Sequence, residues 1–320
     1  MSGFAGDMAA FSQNQRLGRG VNIFGYDPAW SGRGKRRMQP EHFRLLKEAG
    51  FSHVRIPLHP FEHMAEGGEG YRLEPGWLAT LDWALEQAGS NHLMAILDCH
   101  EYNSMARDPE GLKPKWLAFW EQLAPRYADA PDTVLFELLN EPNRALTAEK
   151  WNSFLPEALA IVRESNQRRT VVIGPGEWNS IGKLDELVLP EADRNIVVTV
   201  HYYEPFGFTH QGAPWEEPQL EVGRSWPASD AEPAAIERDF LSAQRWAERN
   251  RRPILLGEFG AYDRADMDSR ARWTAFVARE AESRNWSWSY WQFDDDFVLY
   301  DIDGGDWIEP IRDALIPPAV

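Results

Sequence analysis

Residues 133–141 read TVLFELLNE, a short run of apolar side chains that stops at the polar pair Asn140 and Glu141. A run of this length, bounded by polar residues, is what a strand covered on both faces by packing requires. Similar runs lie on either side of it. Toward the N-terminus they are GVNIFGY (20–26), FSHVRIPL (51–58) and HLMAILDCH (92–100). Toward the C-terminus they are TVVIGPG (170–176), NIVVTVHYY (195–203), RPILLGEFG (252–260) and WSWSYWQF (286–293). That makes eight. The stretches between them carry helical periodicity. In PEHFRLLKEAG (40–50), Pro40 can open a helix and Gly50 can end it, and WLATLDWALEQAG (77–89), WLAFWEQLAPRYA (116–128), EKWNSFLPEALAIVRES (149–165), IERDFLSAQRWAERN (236–250) and RARWTAFVAREAES (270–283) repeat the pattern. Strand followed by helix, eight times, predicts an α/β fold of the (β/α)8 TIM-barrel type.

The chain has 320 residues, a length that barrels routinely reach as one domain. No linker or internal repeat divides it, so residues 1–320 are expected to form a single catalytic barrel. The longest irregular stretch, 204–233 after the sixth strand, is rich in proline and contains tryptophan, and loops of that length in compact domains usually carry function. The 33 basic and 50 acidic residues give a formal charge of -17, which opposes nucleic acid and anionic lipid as partners. Cys99 has no second cysteine to pair with. Residues 1–20 lack the basic start, apolar run and cleavage site of a secretory signal, which leaves open a cytoplasmic protein or a secreted one whose signal has been removed. No segment is apolar over the roughly 20 residues that cross a bilayer. A monomer is expected.

In such barrels the chemistry sits at the carboxyl ends of the strands. There the sequence offers Arg55, His100, Asn140, Glu141, His201, Tyr203, Glu258 and Trp291, each expected where its apolar run stops. Pro142 should hold Glu141 extended and aim it from the rim. Gly257 and Gly260, flanking Glu258, should leave room for a ligand or neighbouring backbone. Read separately, Asn140 and Glu141 could cap a helix, and Glu258 could be a buried partner of an arginine. Together, two glutamates on different strands can face across one pocket, as glycosidic cleavage requires. Arg55 can hold one of them, Glu258, ionised and leave Glu141 protonated. Tyr203 can donate to Glu258, Asn140 can bind a sugar 2-hydroxyl, and Trp291 can form a stacking floor. His100 and His201 read equally well as hydrogen-bonded core residues, and no metal-ligand spacing is present.

These residues resemble glycoside hydrolase family 5, the cellulase and mannanase family of retaining barrels. LFELLNEPN is similar to its acid/base motif and LLGEFGAY to its nucleophile motif. VRIPL, LDCHEYN, VHYYEPF and SYWQF resemble its arginine, histidine, histidine-tyrosine and tryptophan elements. The resemblance covers nearly the whole chain. It implies that Glu141 is the acid/base and Glu258 the nucleophile, with Arg55, His100, Asn140, His201, Tyr203 and Trp291 at the cleavage subsite. A closer likeness to thermophilic bacterial endoglucanases of the family runs through residues 120–143 and 201–215, and adds His210 and Trp215 as cleft residues. The chain departs from that likeness at Glu101, where those relatives carry a second histidine, and at the acidic run Asp294, Asp295 and Asp296, which bears on sugar preference.

The expected activity is therefore retaining endo-β-1,4-glucanase action on soluble or amorphous β-linked polysaccharide or oligosaccharide, with no cofactor and no metal. The alternatives are a β-mannanase or dual glucan/mannan hydrolase, a non-catalytic sugar-binding barrel, and a metal-dependent hydrolase.

Overall fold

The computed structural model describes residues 3–23, 27–32, 34–67 and 70–318. Eight parallel strands close a barrel: β1 (Arg19–Asn22), β2 (His53–Leu58), β3 (Met94–Cys99), β4 (Val134–Glu137), β5 (Val171–Ile173), β6 (Ile196–His201), β7 (Ile254–Glu258) and β8 (Ser287–Tyr290). Each pairs with its sequence neighbours, and β8 closes on β1 through Arg19 opposite Trp288. All eight apolar runs became strands. The end of the first run, residues 24–26, lies outside the described residues.

Helices Pro40–Ala49, Pro75–Ser90, Pro109–Arg126, Ala148–Ser165, Ala231–Asn250, Met267–Ser283 and Glu309–Leu315 wrap the barrel. Their starts follow local chemistry. Proline opens the first three, where its missing N–H costs nothing. The side chains of Asp108, Thr147 and Asp266 accept first-turn amides. Gly50 ends the first helix at φ 106, as its sequence position predicts.

The connection between β5 and β6 is the exception to strand followed by α-helix. It consists of a short turn, Gly176–Asn179, and a 3-10 segment, Ile181–Glu186. Gly174, Pro175 and Gly176 open it and Pro190 follows it, so propensity disfavours a regular helix there. Among the described residues no helix is long and apolar enough to cross a membrane.

Alternation along the strands sorts side chains between two cores. Outward residues such as Val54, Ile56, Ala95, Leu97, Val134 and Phe136 pack in the layer shared with the helices. Inward, Met94, Ile96, Leu135, Val172, Val197 and Leu255 form an apolar plug with Ala10 and Leu17 of an N-terminal helix, Gly3–Leu17. That helix closes the amino end of the barrel, with Asn14 donating to the Ile254 carbonyl at 3.0 Å. Higher up the same inward rows the residues become polar: Asn22 and Arg55, then Asp98, Glu137 and Thr199, all fully buried. The pleat that buries the plug also points these polar groups at the carboxyl-end pocket.

Candidate active site

Arg55 lies in the middle of β2 rather than where its run stops, and it is completely buried. Its guanidinium uses all five N–H donors. Two go to Glu137 at 2.7 and 2.9 Å, and one each to Asn22, Asn140 and Glu258 at 2.8 Å. Asp98 lies 3.0 Å away on the same side and also holds His100 Nδ1 at 2.6 Å. One cation thus faces three buried carboxylates. Desolvation outweighs its pull on all three, and Asp98 and Glu137 are each pushed up to about 7.

Glu258 ends β7. Its Oε1 accepts from Arg55, and its Oε2 accepts from the Tyr203 hydroxyl at 2.9 Å. The room at its flanking glycines is filled by protein: a β-carbon at Gly260 would stand 2.3 Å from the Trp291 carbonyl oxygen, and one at Gly257 2.3 Å from Thr199 Oγ1.

Glu141 lies past the end of β4, and its backbone corrects the sequence expectation. It has φ 43, in the left-handed region, rather than the extended conformation that Pro142 was expected to impose. This conformation costs about 1–2 kcal/mol for a residue with a β-carbon. It accompanies a carboxylate turned to His201, whose Nδ1 lies 2.7 Å from Glu141 Oε1 and 3.5 Å from Glu258 Oε2. Burial raises both glutamates, Glu141 well above the ordinary carboxylate range with the Glu258 charge adding to the rise. In Glu258, Arg55 and Tyr203 oppose it. The order of the pair is Glu141 above Glu258. Burial keeps His201 and His100 neutral and the Tyr203 phenol protonated.

Asn140 lies between Arg55 and His100, its Nδ2 3.4 Å from His100 Nε2. Trp291 follows β8 and stacks on the His100 ring at 5.6 Å and 9°. It packs with Tyr262, Phe297 and Tyr203. The loop after β6 brings His210 against Tyr203, with ring centroids 5.0 Å apart, and sets the half-exposed Trp215 against Tyr262 at 5.1 Å. All ten residues singled out in the sequence therefore gather at one end of the barrel. Glu101 points elsewhere, accepting from the Phe61 amide and the Ser104 hydroxyl. Asp294, of the acidic run, pairs with Arg37 at 3.2 Å.

Asp98, which beside Cys99 and His100 makes no metal-ligand spacing in the sequence, joins the site, as do three residues not singled out in the sequence: Asn22, Glu137 and Asn179. The last donates from Nδ2 toward His201 Nε2 at 3.2 Å. Asp98 and Glu137 did leave a signal: each is a single charge inside an apolar strand. Asn179 left none, because it belongs to a turn in which Glu177, Trp178 and Asn179 have φ 54, 58 and 55. Glu177 and Trp178 each cost about as much as Glu141 does, whereas asparagine visits this region more readily.

One donor atom each from Glu141, His201 and Glu258 falls within a 4.8 Å group, close enough to suggest a cation site. The donor set does not fit one. Arg55 already places a positive charge 2.8 Å from Glu258, and His201 and Glu141 satisfy each other. The arrangement suits proton transfer and attack by a carboxylate at one centre.

Fold and site together define the class: a barrel glycoside hydrolase with two carboxyl groups. The chain belongs to glycosyl hydrolase family 5, whose family model, described as Cellulase, matches residues 15–297. Endoglucanase H of Acetivibrio thermocellus is 28% identical over 319 residues, covering 96% of this chain and 34% of that protein. Endoglucanase 3 of Fibrobacter succinogenes is 25% identical over 93% of this chain and 52% of its own length. The chain thus spans about a third to a half of these curated relatives. Solved structures match from end to end. Thermotoga maritima Cel5A with cellobiose superposes with TM-score 0.91 at 41% identity, covering 96% of this chain and 100% of that one. The same enzyme with mannotriose gives 0.91 at 40% identity over the same shares.

Proposed function

We propose that this chain is a retaining endo-β-1,4-glucanase acting on soluble or amorphous β-glucan through Glu258 and Glu141. The observation that carries the reading is the closeness of the two carboxyl groups, with oxygens in one 4.8 Å group. Inverting enzymes need roughly 6.5–9.5 Å to admit water between the groups, whereas retaining enzymes hold them about 5–5.5 Å apart. Glu258, the lower of the pair, attacks the anomeric carbon while the glycosidic oxygen takes the proton of Glu141. The C–O bond to the leaving sugar breaks, and a glycosyl ester forms on Glu258. Glu141, now a carboxylate, takes a proton from water as that water attacks the anomeric carbon and the bond from that carbon to Glu258 breaks, freeing the Glu258 carboxylate, so the anomeric configuration is retained. Tyr203 and Arg55 stabilise the charge on Glu258 before attack. Asn140 is the donor for the 2-hydroxyl, and Trp291, His210 and Trp215 line the sugar path.

The mannotriose complex of the Thermotoga maritima relative supports a second specificity, toward mannan, at the same site. Reducing-sugar release from carboxymethylcellulose, barley β-glucan and glucomannan, by the parent and by Glu141→Gln and Glu258→Gln, tests both readings. Loss of nearly all activity in each variant is expected, and the substrate ranking separates glucanase from mannanase. A parent inactive on every glycan would move the protein to the class of sugar-binding barrels, and a variant with parental rates would overturn the two-glutamate assignment.

A further inference from the structure

His201 is held from two sides, and only one of them belongs to the reacting pair. Its Nδ1 meets Glu141 Oε1 at 2.7 Å, and its Nε2 meets the Asn179 amide nitrogen at 3.2 Å. The Asn179 side chain is fully buried, and its Oδ1 has no hydrogen-bond partner among the described residues, so the contact with His201 is what the amide is placed for. The seat is built around it. Asn179 comes last of three consecutive left-handed residues, and a β-carbon on Gly174 would fall 2.1 Å from its Oδ1. Ser180, the next residue, bridges to His201 itself.

An amide NH2 donates and cannot accept, so Nε2 of a neutral His201 must carry the lone pair and Nδ1 the proton. Nδ1–H then donates to Glu141 Oε1, and the acid proton of Glu141 is left for Oε2. In the opposite tautomer Nδ1 would accept that proton's hydrogen bond and turn it away from the leaving oxygen. We infer that Asn179 is a positioning residue which fixes the tautomer of His201 and thereby aims the acid proton of Glu141 at the glycosidic oxygen. The inference rests on the two-glutamate reading above for its chemistry, but the tautomer can be observed without catalysis.

The test uses the full chain labelled with 15N-histidine, with the His201 signals assigned by their loss in His201→Gln. The parent should show a protonated Nδ1 and an unprotonated Nε2. Asn179→Asp replaces the donor with an acceptor at a position where aspartate tolerates φ 55, and should bring the proton to Nε2. Asn179→Gly, which suits that φ better still, guards against misfolding. For both variants kcat on cellotetraose should fall by about tenfold with KM little changed, part of the range that general acid catalysis supplies. On 2,4-dinitrophenyl cellobioside, whose leaving group needs no proton, the change should stay within about threefold. An Nε2–H parent, a tautomer unmoved by Asn179→Asp, or equal losses on the two substrates overturns the inference. If Glu141→Gln keeps parental rates on cellotetraose, the two-glutamate reading fails instead, whatever the nitrogen shifts show.

Discussion

Replacing Arg55 by lysine keeps the charge and removes the fork, which separates two explanations of how the barrel floor is held. The arginine makes five hydrogen bonds with five donors. A lysine ammonium has three donors at a single point, so at least two acceptors lose their partner. Hydrogen bonds to charged groups contribute about 1.5–3 kcal/mol each, and two such losses at Glu137 or Glu258 amount to about 3–6 kcal/mol. Unfolding entropy near 2.1 cal/mol/K per residue turns this, for 320 residues, into a fall in Tm of roughly 5–9 °C. Scanning calorimetry at pH 7 reads it directly. The exposed pair Arg44 and Glu48, 2.6 Å apart, supplies the control: Arg44→Ala should cost about 0–1 kcal/mol. A Tm for Arg55→Lys within about 1 °C of the parent would show that charge alone holds the three carboxylates, and would refute the reasoning.

Tyr203→Phe removes the hydroxyl bond to Glu258 and should lower kcat/KM by about 10- to 100-fold. It should also move the acidic limb of the pH profile upward, because Tyr203 lowers the Glu258 pKa. In the parent, kcat/KM should fall at high pH as Glu141 loses its proton, with the alkaline limb well above the ordinary carboxylate range, and Glu141→Gln should abolish that limb. Stability has the opposite slope to ordinary acid denaturation over part of its range. Asp98 and Glu137 titrate near 7 in the folded protein and near 3.8 and 4.5 unfolded, so the folded state holds more protons between about pH 4 and 7. Their contribution is present below pH 4 and is lost as pH rises through 7; urea unfolding at pH 5 and 8 should show it, and Glu137→Gln should flatten the difference.

The barrel was legible because a strand buried on both faces leaves a short apolar run, and eight such runs alternate with stretches of helical periodicity. The rim residues were legible because each such run ends in a polar group. Neither rule reaches inside a strand: Arg55 is expected at a strand end and lies mid-strand, and Glu137 is marked only by being a charge amid Val134, Leu135 and Phe136, where an apolar layer has no place for it. The extended Glu141 failed for a different reason. The restriction that proline places on its predecessor is a local preference of a few kcal/mol or less, and the contact with His201 accompanies a conformation outside it. The turn before Asn179 was illegible because three left-handed residues without an intervening glycine follow no propensity. The N-terminal helix carried too weak a periodicity to be read, yet its Leu17 completes the floor of the barrel.

A guanidinium with no donor to spare has an evolutionary consequence. Asn22, Glu137, Asn140 and Glu258 all draw on the same five protons, so a substitution at any one changes what the others can bond to. Such positions are epistatic: across related sequences they should be inherited as a block, changing in concert or staying fixed. Divergence in sugar preference would then accumulate outside the block, along the loops that carry Trp215 and Asp294, where a side chain can be exchanged without disturbing the shared ledger of protons beneath it.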